Sequence, residues 1–376
     1  MRATLASAAV ARYAGRFVWL ELDFDKPVNQ PFIARHGVTF TPTLFVLDPA
    51  DERATATKFG GLTLSELNQF LDQGERSVKA RTSGPATAAL ARGDEMLGRN
   101  QRTEAVAAYR EALRLASPDW PERNHAISSL VTALSAVREY QACAETAAEK
   151  APTIPRDSTF AAIVRVGLGC ANGGRPATWA EAAGKILEPL AAEAVALPSA
   201  LRDERFQLFQ QLMYAAQTRG DNATVKRWGE QWLAEIEATK PADDDERSAL
   251  DIARVDAADI MEEPARVIPA LVASERAMPN NYNASLRLAQ MEKEAKRYDN
   301  AVAACDRGLA HVTGPAARTW LLEIKAEALV GKGDLATARR VLEAALQSAQ
   351  TIGTEGMREN HIRRITQAIA EINGQP

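Results

Sequence analysis

Cysteine is scarce in this chain of 376 residues, which contains three: Cys143, Cys170 and Cys305. They lie far apart in the sequence, and each falls within an apolar, helix-like pattern. Free cysteine often behaves as a small buried apolar residue, and we interpret all three in that way. Their spacing does not predict a thiol pair or a metal site. The four histidines are equally scattered, so we expect neither a bound metal nor a cofactor.

Positive charge is not in excess either, since the formal net charge is −4 at pH 7. Proteins that bind nucleic acid normally carry a basic surface, so the composition gives no reason to expect a nucleic-acid partner. No run of about 18 apolar residues is present, which argues against a membrane span. Residues 1–10 have too little apolar length for a secretory signal. The chain as written is therefore expected in the cytoplasm.

Catalytic motifs are missing as well, because the sequence shows no Ser/His/Asp arrangement, phosphate loop or dinucleotide fingerprint. The glycine pairs at 167–169 and 173–174 lack the preceding strand that such a motif needs. Asp23 and Asp25 lie at the end of a predicted strand without a third polar partner, and we interpret them as a polar turn. The residues present point to no reaction.

An α/β pattern occupies the N-terminal fifth of the chain. Apolar residues alternate with other types over 17–23, which predicts a strand. A second β-rich run at 43–47 follows Pro42, and proline fits the start of a strand because it cannot donate to the sheet ladder. A third strand at about 53–59 completes a predicted antiparallel hairpin.

The segment 37–48, GVTFTPTLFVLD, resembles the cis-proline loop and following strand of thioredoxin-like domains. The segment 59–71, FGGLTLSELNQFL, is similar to the glycine bend and last helix of that family. The resemblance implies a Cys-x-x-Cys at the start of the first helix, yet the chain begins inside that helix and no cysteine precedes Cys143. Redox chemistry of this kind needs a reactive thiolate and a resolving thiol.

The same resemblance implies a central strand that the chain as written lacks. Strands 17–23 and 43–47 would then face each other across an empty slot, and each unpaired buried backbone group would cost about 1–3 kcal/mol. We favour a natural start upstream of Met1; the alternatives are a rearranged domain or one that is covered by something else.

From about residue 84 the strand pattern gives way to helix-length segments, with breaks about 35–43 residues apart, the range of helix-pair repeats. Three sets of residues share the offsets 12, 4 and 3 along the chain. Small residues in these sets would let two antiparallel helices cross closely. The sets are Gly93, Ala105, Tyr109 and Ala112; Ala289, Ala301, Cys305 and Gly308; and Ala326, Ala338, Leu342 and Ala345.

This pattern resembles the tetratricopeptide repeat. It is clearest over 281–312 and 320–350 and is good over 86–117, whereas the repeats over about 123–278 are divergent. A last helix at about 353–373 would cover the open apolar face of the stack.

The predicted fold is therefore mainly α: a tetratricopeptide-like helical-repeat solenoid with a small, partial thioredoxin-like α/β domain at its N-terminus. The expected domains are the partial thioredoxin-like domain over 1–76, a linker over 77–85, and the helical repeats with a capping helix over 86–373.

The two resemblances imply candidate peptide-binding residues. In tetratricopeptide repeats the first helices line a groove that holds a peptide, and in thioredoxin-like domains the residue before the cis-proline pairs with an extended peptide. The candidates are Thr41, Pro42, Asn283, Leu286, Gln290, Lys293, Trp320, Glu323 and Glu327. They include no Lys/Arg/Asn cluster of the kind that clamps a terminal carboxylate.

Two functions follow from these residues. The first is a non-catalytic scaffold that binds a protein or peptide partner through the repeats. The alternative is a thiol–disulfide oxidoreductase of the thioredoxin family, whose Cys-x-x-Cys lies upstream of Met1 and whose repeats dock the substrate protein. An extended chain of that kind could work in the periplasm.

Overall fold

A computed structural model describes residues 8–24, 26–38, 42–60, 62, 64–79, 84–200 and 202–373. Two strands, β1 Thr43–Leu47 and β2 Ala54–Phe59, lie in the N-terminal part. The described α-helices are α1 Gln30–His36, α2 Leu64–Lys79, α3 Pro85–Gly98, α4 Arg102–Leu115, α5 Arg123–Ala136, α6 Tyr140–Lys150, α7 Ser158–Gly174, α8 Thr178–Val195, α9 Arg202–Thr218, α10 Asn222–Ala238, α11 Asp244–Met261, α12 Ile268–Ala277, α13 Tyr282–Glu294, α14 Tyr298–His311, α15 Pro315–Gly331, α16 Leu335–Gln350 and α17 Glu355–Asn373. The fold is mainly α, in the class of tetratricopeptide-like helical-repeat solenoids, as the sequence predicts.

The two strands form an antiparallel hairpin in which Thr43 lies opposite Phe59. Its turn is closed by the Asp48 N–H, which donates to the Arg53 carbonyl at 2.8 Å. Helix α2 packs closely on this hairpin, because a Cβ placed on Gly74 would lie 2.6 Å from Val46. The hairpin that the sequence predicts is confirmed.

The predicted strand at 17–23 is wrong. Residues 18–23 have no regular secondary structure and pair with neither described strand. Val18 is 89% exposed and Leu20 is 74% exposed. Apolar alternation gives a strand only where a neighbouring strand supplies hydrogen bonds, and the described residues supply none here. With two strands in its described part, the N-terminal region does not support the predicted thioredoxin-like domain.

Five helix endings in the repeats share one backbone motif. One or two positions after the last helical residue, the backbone is left-handed, with φ between 58° and 81°, and the next N–H donates to a carbonyl in the last turn of the helix. This is the Schellman motif, which satisfies carbonyls left free at a helix end. The left-handed residues are Asn100, Arg138, Glu262, Lys296 and Gly333, and the closing bonds run from Gln101 to Met96, Glu139 to Leu134, Glu263 to Ala258, Arg297 to Glu292 and Asp334 to Leu329 at 2.8–3.0 Å.

Replacing Lys296 with glycine is expected to raise the free energy of unfolding by about 0.5–1 kcal/mol. A left-handed backbone costs a residue with a Cβ about 1–2 kcal/mol, and the greater freedom of glycine in the unfolded chain offsets part of the gain. Urea unfolding of Lys296→Gly measures the change. The control is Lys185→Gly within α8, which should lose about 1 kcal/mol; a loss at both positions would contradict the prediction.

Small residues mark the crossings between helices, as the sequence predicts. Ala289, Ala301 and Ala338 are fully buried, and Ala326 is 1% exposed. At the first repeat, a Cβ on Gly93 would lie 2.5 Å from the Tyr109 ring. The Tyr109 hydroxyl donates to Asp94 Oδ1 at 2.8 Å in the same buried contact. The close approach of the paired helices therefore depends on residues without bulk.

The interpretation of three separate cysteines is wrong. Cys143 of α6 and Cys170 of α7 form a disulfide with a Cα–Cα distance of 6.1 Å. The two helices are consecutive and antiparallel, so residues 27 apart in the sequence meet near the same level of the hairpin. Cys305 is a free, buried thiol, as expected, and burial raises the pKa of that thiol to about 12.

The chain divides into two compact units, Met1–Arg219 and Gly220–Pro376. In the second unit, α17 packs on α15 and α16 through Ile365, Leu342 and Leu322. The predicted domain boundaries stay a prediction. None of the described helices has the length and apolar character needed to cross a membrane.

Candidate functional site

Helices α11, α13 and α15 of the second unit lie side by side. Gln290 Nε2 of α13 donates to Asp259 Oδ2 of α11 at 3.3 Å. Lys293 Nζ of α13 donates to Glu327 Oε2 of α15 at 2.5 Å. These bridges make one continuous surface, which we call the first-helix face and define by its lining residues: Ile252, Asp256, Asp259, Leu286, Gln290, Lys293, Glu294, Trp320 and Glu327.

Two large apolar side chains of the first-helix face are open to solvent. Trp320 is 51% exposed and Ile252 is 49% exposed. The Trp320 indole makes a T-shaped contact with the His361 ring of α17, with 6.1 Å between the two ring centroids. The indole is therefore oriented by the fold and still available to a partner.

Carboxylates outnumber cationic groups on this face, with Asp256, Asp259, Glu294 and Glu327 against Lys293 and Arg287, whose Nη1 donates to Ser248 of α11 at 2.9 Å. Lys293 is already paired, since its Nζ lies 2.9 Å from Glu294 and 2.5 Å from Glu327. Burial lowers the pKa of Lys293, but the hydrogen bonds that its ammonium group donates to Glu327 and Glu294 outweigh this effect and raise that pKa above its ordinary value. The face thus keeps an excess of negative charge.

The aspartates of α11 have raised pKa values, and the main cause is the loss of hydration. Burial raises the pKa of Asp256 above its ordinary value. Asp259 is exposed, yet its pKa is raised to about 6. The larger cause is the loss of hydration between the helices, and the smaller one is repulsion from Glu294 and Asp256. A cation placed beside Asp259 would lower this pKa again and would be attracted in return.

The structure distributes the predicted C-terminal site residues unevenly. Gln290, Lys293 and Glu327 come together in the bridges between helices, and Trp320 lies on α15 with Glu327. Asn283 and Leu286 are half-buried on α13. Glu323 is buried, 4% exposed, and its Oε2 accepts from His361 Nδ1 at 2.9 Å, so it holds α17 in place and does not face solvent.

The N-terminal candidates are less informative. Thr41 lies outside the described residues. Pro42 is exposed, and its carbonyl accepts from the Gly60 N–H at 2.9 Å, beside the end of the hairpin. That carbonyl is already used within the chain, so Pro42 shapes the edge of the hairpin.

Sequence reasoning missed Ile252, Asp256 and Asp259 because α11 belongs to the divergent middle of the repeats. A signal for them exists in the backbone. Asp256, Gln290 and Glu327 each lie six residues before a left-handed turn residue, at Glu262, Lys296 and Gly333. The sequence alone does not reveal that register, since two of the three turn residues are not glycine.

Two other clusters were candidates for chemistry. His125 Nε2 lies 3.5 Å from Ser129 Oγ and 3.8 Å from Asp94 Oδ2. Both partners approach the same ring nitrogen, so the arrangement does not relay a proton from serine to carboxylate.

A shallow hollow of about 480 Å³ lies between Tyr140 and Trp179. Within the described ranges, no group of three or more His, Cys, Asp or Glu could hold a metal ion.

Comparison with known proteins adds little. No protein-family profile matches the chain, and no curated relative matches it. One similar solved structure is the complex of the TPR2AB domain of yeast Sti1 with pHSP90, at 14% sequence identity and a TM-score of 0.31. The match covers 77% of this chain and 98% of the Sti1 chain. At that score the likeness carries no argument about the ligand of this chain.

Proposed function

We propose that the chain is a non-catalytic protein-interaction scaffold that binds a partner segment along the first-helix face. The observation that carries this proposal is the exposure of Trp320 and Ile252 beside an excess of carboxylates. Solvent-exposed aromatic side chains often supply the main binding energy of an interface. Complementary charge adds specificity and faster association. The partner segment that fits this face has apolar side chains interspersed with lysine or arginine.

A pair of peptides tests the class of partner. Two fluorescein-labelled peptides of equal length are compared, one alternating leucine with lysine and the other alternating leucine with glutamate. The lysine peptide should bind to the full chain, and added salt should weaken that binding because exposed charges are screened. Equal binding of both peptides, or preference for the glutamate peptide, would refute the charge assignment.

Replacing Trp320 with alanine should weaken binding of the lysine peptide by about 1–2 kcal/mol, roughly 5- to 30-fold in Kd. The indole supplies the largest exposed apolar area on the face, and alanine removes it. Fluorescence anisotropy gives the Kd of Trp320→Ala and of the control Tyr214→Ala, which removes an aromatic side chain that is 38% exposed on α9 of the other unit. Equal losses in both variants would show that the effect is not local to the first-helix face.

Affinity for the lysine peptide should rise as pH increases through about 6, the pKa of Asp259. Below that pH the carboxyl is protonated and neutral, whereas above it the carboxylate attracts the lysines. Asp259→Asn should remove this pH dependence and bind weakly throughout. The matched control is Glu359→Gln on α17, which should keep it. A flat profile in the unaltered chain would exclude Asp259 from the contact.

The alternative, a thiol–disulfide oxidoreductase, needs a cysteine pair that residues 1–142 do not contain. The cysteines in the chain do not substitute for it, since Cys143 and Cys170 are buried in a disulfide and Cys305 has a raised pKa. No observation in the described residues favours the redox function over the scaffold.

A further inference from the structure

The Cys143–Cys170 disulfide lies at a tightly packed crossing of α6 and α7. One turn away from these cysteines, Ala147 meets Gly167, where an added Cβ would lie 2.2 Å from the Ala147 Cβ. Cys143 is fully buried and Cys170 is 2% exposed. Ala147 is fully buried in the same contact. Neither sulfur can be reached by a reagent while these two helices are packed.

We infer that Cys143–Cys170 is an oxidative modification site, closed during folding by a disulfide donor, and that the chain matures in an oxidising compartment. Thiol–disulfide exchange requires a thiolate to reach a sulfur of the donor along an open path. The packed crossing offers no such path, so exchange precedes it. Reducing compartments keep protein thiols free, whereas oxidising ones form and keep structural disulfides. The cytoplasmic expectation from the sequence is replaced by this proposal.

The reaction balances with a donor disulfide as the sole co-substrate. One cysteine thiolate attacks a donor sulfur, which gives a mixed disulfide and releases the first donor thiol. The other cysteine then attacks the sulfur of its partner and releases the second donor thiol. Two protein S–H bonds and one donor S–S bond are lost, and one protein S–S bond and two donor S–H bonds are formed. The two electrons that leave the protein reduce the donor.

Cys305 supplies an internal control in the same chain. It is buried in α14 and free, and burial raises the pKa of its thiol to about 12, which leaves almost no thiolate at neutral pH. If the chain oxidised without specificity before its helices pack, Cys305 would be oxidised as well. Specific closure leaves it reduced.

Thiol counting by mass spectrometry tests the bond. The full chain is treated with iodoacetamide at about pH 8, where thiolate is available for alkylation, in three states: native, unfolded in guanidinium, and unfolded after reduction. We expect no labelled cysteine in the native state, Cys305 alone after unfolding, and all three after reduction. Labelling of all three on unfolding without reductant would overturn the assignment of a disulfide.

Two production routes test the compartment. The chain is made in a reducing bacterial cytosol and, with an export signal, in the oxidising periplasm, and both samples are acid-quenched in the cells. The exported chain should carry the bond in full and the cytosolic chain should carry little of it. Full oxidation of the cytosolic chain would overturn the compartment inference. Exported Cys170→Ser should label at Cys143 and Cys305 on unfolding, a readout that does not depend on correct folding of the variant.

Discussion

Removing the Cys143–Cys170 disulfide will lower the free energy of unfolding of the unit Met1–Arg219 by about 3–4 kcal/mol. The bond closes a loop between residues 27 apart, and the chain-entropy relation gives a loop of that length about this effect on the unfolded state. A typical domain is stable by about 5–15 kcal/mol, so the loss is a large part of the total. Urea unfolding of the oxidised chain and of a Cys143→Ala/Cys170→Ala variant measures it.

Segment-resolved hydrogen exchange should accompany the unfolding curves, because two compact units need not unfold together. Amides of α6 and α7 should lose protection in the variant, whereas amides of α13 to α16 should keep it. The control is Cys305→Ala, which removes a buried thiol from the other unit and leaves the disulfide intact. A loss below about 1 kcal/mol in the double variant would mean that packing alone holds α6 against α7.

The sequence predicts the repeats well because their determinants are local. Small residues such as Ala289 and Ala326 mark helix crossings, and prolines and glycines mark the breaks between pairs. The strand at 17–23 fails for the opposite reason. Its alternating pattern is present, but a strand also needs a partner edge, and hydrogen bonds to that edge depend on residues distant in the sequence.

The disulfide and the first-helix face were harder to predict. Cys143 and Cys170 belong to no spacing motif, and their meeting follows from the length of the turn between α6 and α7. Glu323 matches the pattern of a groove residue, yet α17 folds over it and makes it a structural residue. Asp259 shows no repeat signal in the sequence, because its position is defined by the left-handed residue Glu262 in a divergent repeat.

Glu323 therefore belongs to a buried ionic contact that attaches α17 to the repeats. Its Oε2 lies 2.9 Å from His361 Nδ1 and 3.4 Å from Arg364 Nη2. Both Glu323 and His361 are 4% exposed, while the Arg364 side chain is 47% exposed. Loss of a buried partner is costly since it leaves a charge that water does not reach. Arg364 alone, at the solvent edge, is a weaker partner.

Replacing His361 with alanine is expected to lower the free energy of unfolding by about 3 kcal/mol at neutral pH. The substitution removes the closer partner of the buried Glu323 carboxylate and leaves Arg364, at the solvent edge, as its charged neighbour. Urea unfolding measures the loss, and hydrogen exchange should locate it in α15 and α17. The control is His311→Ala at the exposed end of α14, which should change stability by less than about 0.5 kcal/mol.

The pH dependence identifies the cause of that loss. Burial raises the pKa of Glu323, while the nearby charges of Arg364 and His361 act to lower it. Without His361 the pKa rises further, so the folded variant holds its proton to higher pH than the unfolded chain does. The contribution of Glu323 to the free energy of unfolding is fully present below the pKa that this carboxyl has in the unfolded chain. It is lost as pH rises through the pKa of the same carboxyl in the folded state. The deficit of His361→Ala should therefore shrink on acidification from pH 7 toward about 5.

The double variant Glu323→Gln/His361→Ala, which buries no charge, should show a deficit that does not change with pH. If the stability loss of His361→Ala does not change with pH, its cause is the lost packing of His361 against Trp320.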